Sequence, residues 1–223
     1  MNVRKDERVE QPAAPDRRDA DLDGALTNED AALALLRNAQ VSSDALSQLA
    51  RSSVTAKSRK VLLGVVEHPR TPRHLCIPLL RRMFTFDLVQ VTLTPTVAAD
   101  IKRAAEEQIK VRLESVPTGE RITLARRVSG RIAAELLQDR DARVTTPALD
   151  NSQLTEALVV QALMKKDAPA GLFRLVSEHP KWSLRREVQI ALLRSENTPP
   201  DRVQELARNF SADFLREILP EHT

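Results

Sequence analysis

Four histidines, His68, His74, His179 and His222, and one cysteine, Cys76, are the side chains that most readily serve as metal ligands or activated nucleophiles in this 223-residue sequence. His68 and His179 each precede a proline, in Glu67-His68-Pro69 and Glu178-His179-Pro180. An imidazole there stands beside the last carbonyls of a helix, which reads as a structural post, not a catalytic one. His74 and Cys76 are two residues apart, so a helix points them to different faces. Cys76 falls in an apolar stripe with Leu75 and Leu79, which predicts a buried structural thiol. One cysteine makes no internal disulfide, multi-cysteine zinc site or four-cysteine cluster, so neither metal nor cofactor is expected.

The five glycines do not form GxGxxG, GxxxxGK[ST] or GxSxG, whose sharp turns cradle phosphates or expose a serine. The paired acids Glu106-Glu107 and Asp139-Asp141 lie among Lys and Arg. They read as solvated faces, with Glu106 and Lys110 as a pair on the outside of one helix. No catalytic constellation emerges, and the expectation is a protein that is not an enzyme. The cations are more suggestive as partner-binding residues. Arg126, Arg127 and Arg131 cluster at one helix boundary, and Lys181, Trp182, Arg185 and Arg186 place the only tryptophan beside three cations at another. Such a ridge suits an acidic protein, or nucleic-acid phosphate with Trp182 stacked on a base. The structural alternative puts Trp182 in the core and lays the arginine stems over apolar surface.

The elements that must position these residues are helical. Hydrophobic residues make up 42% of the chain and charged residues 29%, which suits a globular domain, while the absence of tyrosine and an aromatic share of 3% disfavour β architecture. The net charge of +3 is unevenly spread. Residues 1–30 carry −4 and residues 31–223 carry +7, so the body attracts acidic partners. Residues 1–26 are poor in apolar side chains and read as a disordered acidic arm ahead of a repeat domain over 27–223. With no apolar secretory region after the initial Met and no run of about 18 apolar residues, the chain reads as cytoplasmic without a membrane span.

Helix starts recur along the domain. Thr27 with Asp30, Ser43, Thr71-Pro72, Thr94-Pro95, Ser152 and Thr198-Pro199 each precede an apolar-periodic segment, as N-caps with proline in the first turn. The longest segment steps through Val97, Ile101, Ala105, Ile109 and Leu113, which predicts about five turns. Pro78 should kink or divide its helix. Residues 83–93 carry strand-like residues, but without a pairing partner they read as a buried helix, within an irregular middle of about 83–118. The last helix, with Phe214, Leu215, Ile218 and Leu219, stops at Pro220 and reads as a cap.

The segment 34–51 aligns without gaps on 191–208, with eight identities in eighteen positions, and the loop length and the place of the cap match too. Weaker copies recur at roughly 30 residues, the span of one helix-turn-helix unit. The run Asn197-Thr198-Pro199-Pro200-Asp201 to Leu206-Ala207-Arg208 resembles the unit of bacterial HEAT-like and leucine-rich-repeat-variant proteins. That resemblance implies an all-α fold, an α-solenoid of stacked antiparallel helix pairs whose extended surface recognises a protein. The iron-sulfur cluster of one branch of leucine-rich-repeat-variant proteins does not carry over, because Cys76 stands alone. The rival reading is a nucleic-acid-binding array similar to HEAT-like DNA glycosylases, in which one tryptophan, no tyrosine and five phenylalanines leave little for an aromatic cleft.

Overall fold

The computed structural model describes residues 17–218. Among these residues the chain forms sixteen α-helices and no strand. None of these helices is long and apolar enough to cross a membrane. The chain divides into two compact units, with the boundary in sequence between Leu79 and Leu80.

The first unit holds α1 (Arg17–Thr27), α2 (Glu29–Leu36), α3 (Ser43–Arg51), α4 (Ser53–Lys57), α5 (Arg59–Glu67) and most of α6 (Arg73–Leu80). The arm expected over residues 1–26 gives way to α1 at Arg17; residues 1–16 lie outside the described residues. Few apolar groups suffice there because α1 rests on three helices, α2, α3 and α4. Ala25 is fully buried, and a Cβ added at Gly24 would stand 3.8 Å from that of Ala31, so small residues let the backbones approach. Leu46 and Leu49 of α3 and Val61 and Val65 of α5 are buried, and α5 packs on both α3 and α2. Each such side chain, fully buried, contributes about 1.5–3 kcal/mol. Cys76 is buried in α6, as its stripe predicts, and His74 is exposed. Pro78 does not divide α6; the helix ends two residues later.

The second unit holds α7 (Thr85–Leu93), α8 (Ala99–Leu113), α9 (Thr118–Ala125), α10 (Gly130–Leu136), α11 (Ala142–Leu149), α12 (Glu156–Leu163), α13 (Ala170–Glu178), α14 (Arg186–Leu193), α15 (Pro200–Ala207) and α16 (Ala212–Ile218). The strand-like residues 85–93 are helical, with Leu88, Val89 and Val91 buried and α7 packed along α8. Helix α8 begins at Ala99, later than the periodicity alone predicts, because a turn at Thr94–Val97 uses up the segment after Pro95. It spans fifteen residues, about four turns. Contacts skip one helix at a time: α8 packs on α10, α10 on α12 and α12 on α14, while α9 packs on α11 and α11 on α13. Leu219, Pro220 and His222, at the end of the expected cap, lie outside the described residues.

The offset of 157 residues that relates 34–51 to 191–208 carries α2 onto α14 residue for residue and the first residue of α3 onto that of α15. The expected caps need correction. Asn28, not Thr27, caps α2, accepting from Asp30 N at 2.8 Å, while the Thr27 hydroxyl donates back to Gly24 O. Ser42 caps α3 in place of the expected Ser43, and Thr155 caps α12 in place of Ser152, three residues earlier. The threonines before proline face the other way. Thr71 donates to Val65 O and Thr198 to Leu192 O, both at 2.6 Å, and Thr94 donates to Gln90 O at 2.9 Å. Thr55 does the same to Leu49 O at 2.6 Å. Each hydroxyl closes the end of the preceding helix: at Val65 it is the donor to an orphaned carbonyl, and at Leu192, Leu49 and Gln90 it adds to the backbone N–H of Ser195, Ser52 and Thr94, a need that local pattern does not distinguish from N-capping.

Thr71→Val keeps shape but strands the buried Val65 carbonyl, which Pro69 has no N–H to satisfy, so it lowers unfolding free energy by about 1–3 kcal/mol, read as a fall in Tm, while Thr71→Ser restores most of it. A Cβ at Gly130 would fall 2.1 Å from the backbone oxygen of Gln153, whereas nothing stands within 4 Å of one at Gly171. Gly130→Ala therefore costs about 1–3 kcal/mol in thermal melts and Gly171→Ala leaves stability unchanged or slightly raised.

Candidate functional site

Three turns of the second unit, each joining a helix of one row to a helix of the other, are bonded in series. In the middle turn Asn151 is buried, and its Nδ2 donates to Ala125 O at 2.7 Å and Val128 O at 3.0 Å, on the turn that follows α9. Trp182, on the turn after α13, donates from Nε1 to Leu149 O at 2.8 Å. His179 Nε2 lies 3.2 Å from Asp150 Oδ1, and its Nδ1 accepts from Lys181 N. His68 repeats this arrangement in the first unit, with Nδ1 accepting from Arg70 N and Nε2 donating to Asn38 O at 3.3 Å. Both Glu-His-Pro segments thus use the ring as a clamp between turns, and not, as expected, against the last carbonyls of their own helices.

The series places both predicted cation clusters on one edge, on turns separated by a single intervening turn. Trp182 is the correction. It is only 1% exposed, too enclosed to stack on a base, because its indole supplies the hydrogen bond that the end of α11 needs. Lys181 is exposed with its ammonium 4.0 Å from the Trp182 ring centroid, a cation–π contact. Arg186 lies over Phe210 and Phe214, 5.4 and 5.1 Å from their centroids, and so holds the segment before α16 and α16 itself. Arg131 is 3.7 Å from Glu106. The exposed guanidinium groups of Arg126, Arg127 and Arg185 make no hydrogen bond or ion pair among the described residues. Beside them Leu184 is 77% exposed, a residue the cation spacing did not single out.

A second feature runs across the row α8, α10 and α12. A cleft of about 220 Å³ is lined by Glu106, Lys110, Arg131, Glu135, Gln161 and Lys165 among others. Glu106 and Lys110 do not pair with each other, as their spacing on α8 suggests; each reaches α10 or the turn before it. Glu106 accepts from the Ser129 hydroxyl at 2.6 Å, and Lys110 stands 3.1 Å from Glu135. Glu135 also accepts from Lys165 at 2.7 Å, so one carboxylate of α10 ties α8 to the turn that follows α12. Burial raises the Glu135 carboxyl, but hydrogen bonds from Lys165 and Lys110 outweigh it and hold the group below the usual carboxylate range. The hydrogen bond and charge of Glu135 raise Lys110 in turn. The signal was present in the sequence, as opposite charges at 110, 135 and 165, close to the repeat spacing.

Asp139, expected on a solvated face, instead stands 2.8 Å from Arg121 Nε with its side chain mostly covered. Asp141 is held below the usual carboxylate range by the Arg143 side chain and by the Arg143 backbone N–H. Among the described residues no three His, Cys, Asp or Glu side chains converge as metal ligands. What the site offers chemically is a set of unpaired guanidinium groups on a rigid edge and an ion ladder in which each carboxylate already has its cation.

Because the folded-state pKa of Glu135 is depressed, its contribution to stability is present above its unfolded pKa and is lost as pH falls through the folded value. Glu135→Gln costs about 1 kcal/mol at neutral pH. Denaturant titrations from pH 7 down into the acid range show the wild-type and variant curves converging below the ordinary glutamate pKa. No protein-family model, curated protein or solved structure matches this chain, so a functional reading rests on its own geometry.

Proposed function

We propose that this chain is a non-catalytic scaffold that binds a protein, built from HEAT-like helix pairs stacked as an α-solenoid and working in the cytoplasm, where a single thiol stays reduced. The observation that carries the reading is the alternate-helix packing of the second unit, in which α8, α10, α12 and α14 follow one another as one row and α9, α11 and α13 as another. Helices of seven to nine residues, except for α8, bury their stripes in such rows only against the next pair. Bonds at the repeat spacing support it too, since Lys165–Glu135 and Glu187–Glu156 along one row, and Arg70–Gln40 in the first unit, all link residues 30 or 31 apart. Stacked repeats expose a long surface of fixed spacing, which suits recognition of an extended partner.

A protein fits this surface better than a nucleic acid. The ladder alternates Glu106, Lys110, Arg131, Glu135 and Lys165, and the cation-bearing edge also carries Asp150 and Glu178, which a phosphate backbone would meet as repulsion. With Trp182 enclosed, the stacking platform that a single strand needs is gone.

Proximity labelling from the full chain in its native cell is expected to enrich a reproducible protein over a charge-matched control. Gel-shift titration with generic duplex DNA at low salt is expected to show no complex. Recovery of nucleic acid, with affinity falling steeply as salt rises, would replace this reading with the nucleic-acid one.

A further inference from the structure

We infer that the edge formed by the turns after α9, α11 and α13 is a docking strip for an extended acidic polypeptide carrying an apolar anchor residue. This surface rests on the protein-binding reading above and adds its place and the chemistry of its partner. Arg126 and Arg127 mark one end of the strip, and Lys181 and Arg185 the other. Between them lie the exposed, uncharged Ser152 and Gln153. The three turns cannot slide apart, because Asn151 and Trp182 pin each to the next through buried hydrogen bonds. Neighbouring helices in a packed row stand about 8–10 Å apart, so two steps separate the cation clusters by about 20 Å. An extended chain covers that span with about six residues.

Charge selects the partner. The guanidinium groups of Arg126, Arg127 and Arg185 are unpaired among the described residues, and carboxylates match their fork geometry. The opposing acids on the edge are Asp150, already against His179, and Glu178. Leu184, 77% exposed between Lys181 and Arg185, offers an apolar contact inside a ring of charge, which a phosphate backbone does not use and an acidic segment with a leucine or similar residue does. Arg186 and Arg131 stay with Phe210, Phe214 and Glu106, so they belong to the frame and not to the strip.

Fluorescence anisotropy with the full chain tests this, using labelled peptides of about a dozen residues: glutamate-rich with one central leucine, the same with serine for leucine, and a lysine-rich counterpart. The glutamate-leucine peptide is expected to bind and the lysine peptide not. The combined variant Arg126→Glu, Arg127→Glu, Lys181→Glu, Arg185→Glu, checked for native helix content and Tm, is expected to weaken binding at least about tenfold. Leu184→Ser weakens the leucine peptide several-fold and leaves the serine peptide unchanged, while reversing Arg103 and Lys166 elsewhere on the unit changes neither. No binding at low salt, equal binding by the four-site variant, or tighter binding of a short DNA duplex than of the acidic peptide would overturn the strip. A protein partner captured from cells whose binding survives the four-site variant would overturn the strip alone and leave protein recognition standing. Peptide binding at this edge by a chain that captures no protein would support the strip and count against the scaffold reading.

Discussion

A helix of eight residues leaves its first four N–H groups and its last four carbonyls without a partner inside the helix. Most helices described here are seven to nine residues long, so their ends outweigh their middles, and the supply of side-chain donors to buried carbonyls becomes the condition on which everything else depends. Each orphaned and buried carbonyl costs about 1–3 kcal/mol. Threonine meets the need locally at Thr71, and Thr55 and Thr198 add a second donor in the same way, each reaching six residues back. Asn151, Trp182 and Gln138 meet it at a distance, from a turn 23 to 33 residues away. Those distant donors do more than satisfy a carbonyl. They fix the position of one turn against the next.

The same logic explains why side chains that look like chemistry turn out to be structure. Histidine before proline at a helix end offers one ring nitrogen to a backbone N–H two residues on and the other to a neighbouring turn. Both Glu-His-Pro segments use this geometry. The tryptophan is consumed in the same way, its indole N–H committed to Leu149 and its ring enclosed. Arg126, Arg127 and Arg185 make no hydrogen bond or ion pair among the described residues, and their long stems and permanent charge need no buried partner.

Electrostatics supports the frame more than it sets its strength. Glu135 between Lys110 and Lys165 is partly exposed, and such pairs contribute about 1 kcal/mol or less. Their value lies in direction: one carboxylate of α10 accepting from Lys110 of α8 and from Lys165, in the turn after α12, ties the row together. Asp139 with Arg121 and Glu106 with Ser129 act likewise between a turn and a helix. The buried aliphatic stripes supply the larger share of stability, and the polar ties select the order in which those stripes meet.

The all-helical class, the burial of Cys76, the helix at 85–93 and the matched pair of segments at 34–51 and 191–208 were legible in the amino-acid order, because each follows from periodicity or identity within a short window. The cation clusters were legible as well, down to residue number. Which of those cations are free was not. Arg131, Lys181 and Arg186 are engaged by Glu106, Trp182 and the Phe210–Phe214 pair, and each engagement is a contact made by packing. The direction of the threonine hydroxyls, the capture of α1 by three neighbours and the pairing of Lys110 with Glu135 in place of Glu106 belong to the same class. Local sequence determines where helices form and which face is apolar, since that depends on spacing along one chain segment. Only tertiary structure decides which orphaned carbonyl a donor fills and which charge stays unpaired, since that depends on what a helix some thirty residues away brings alongside.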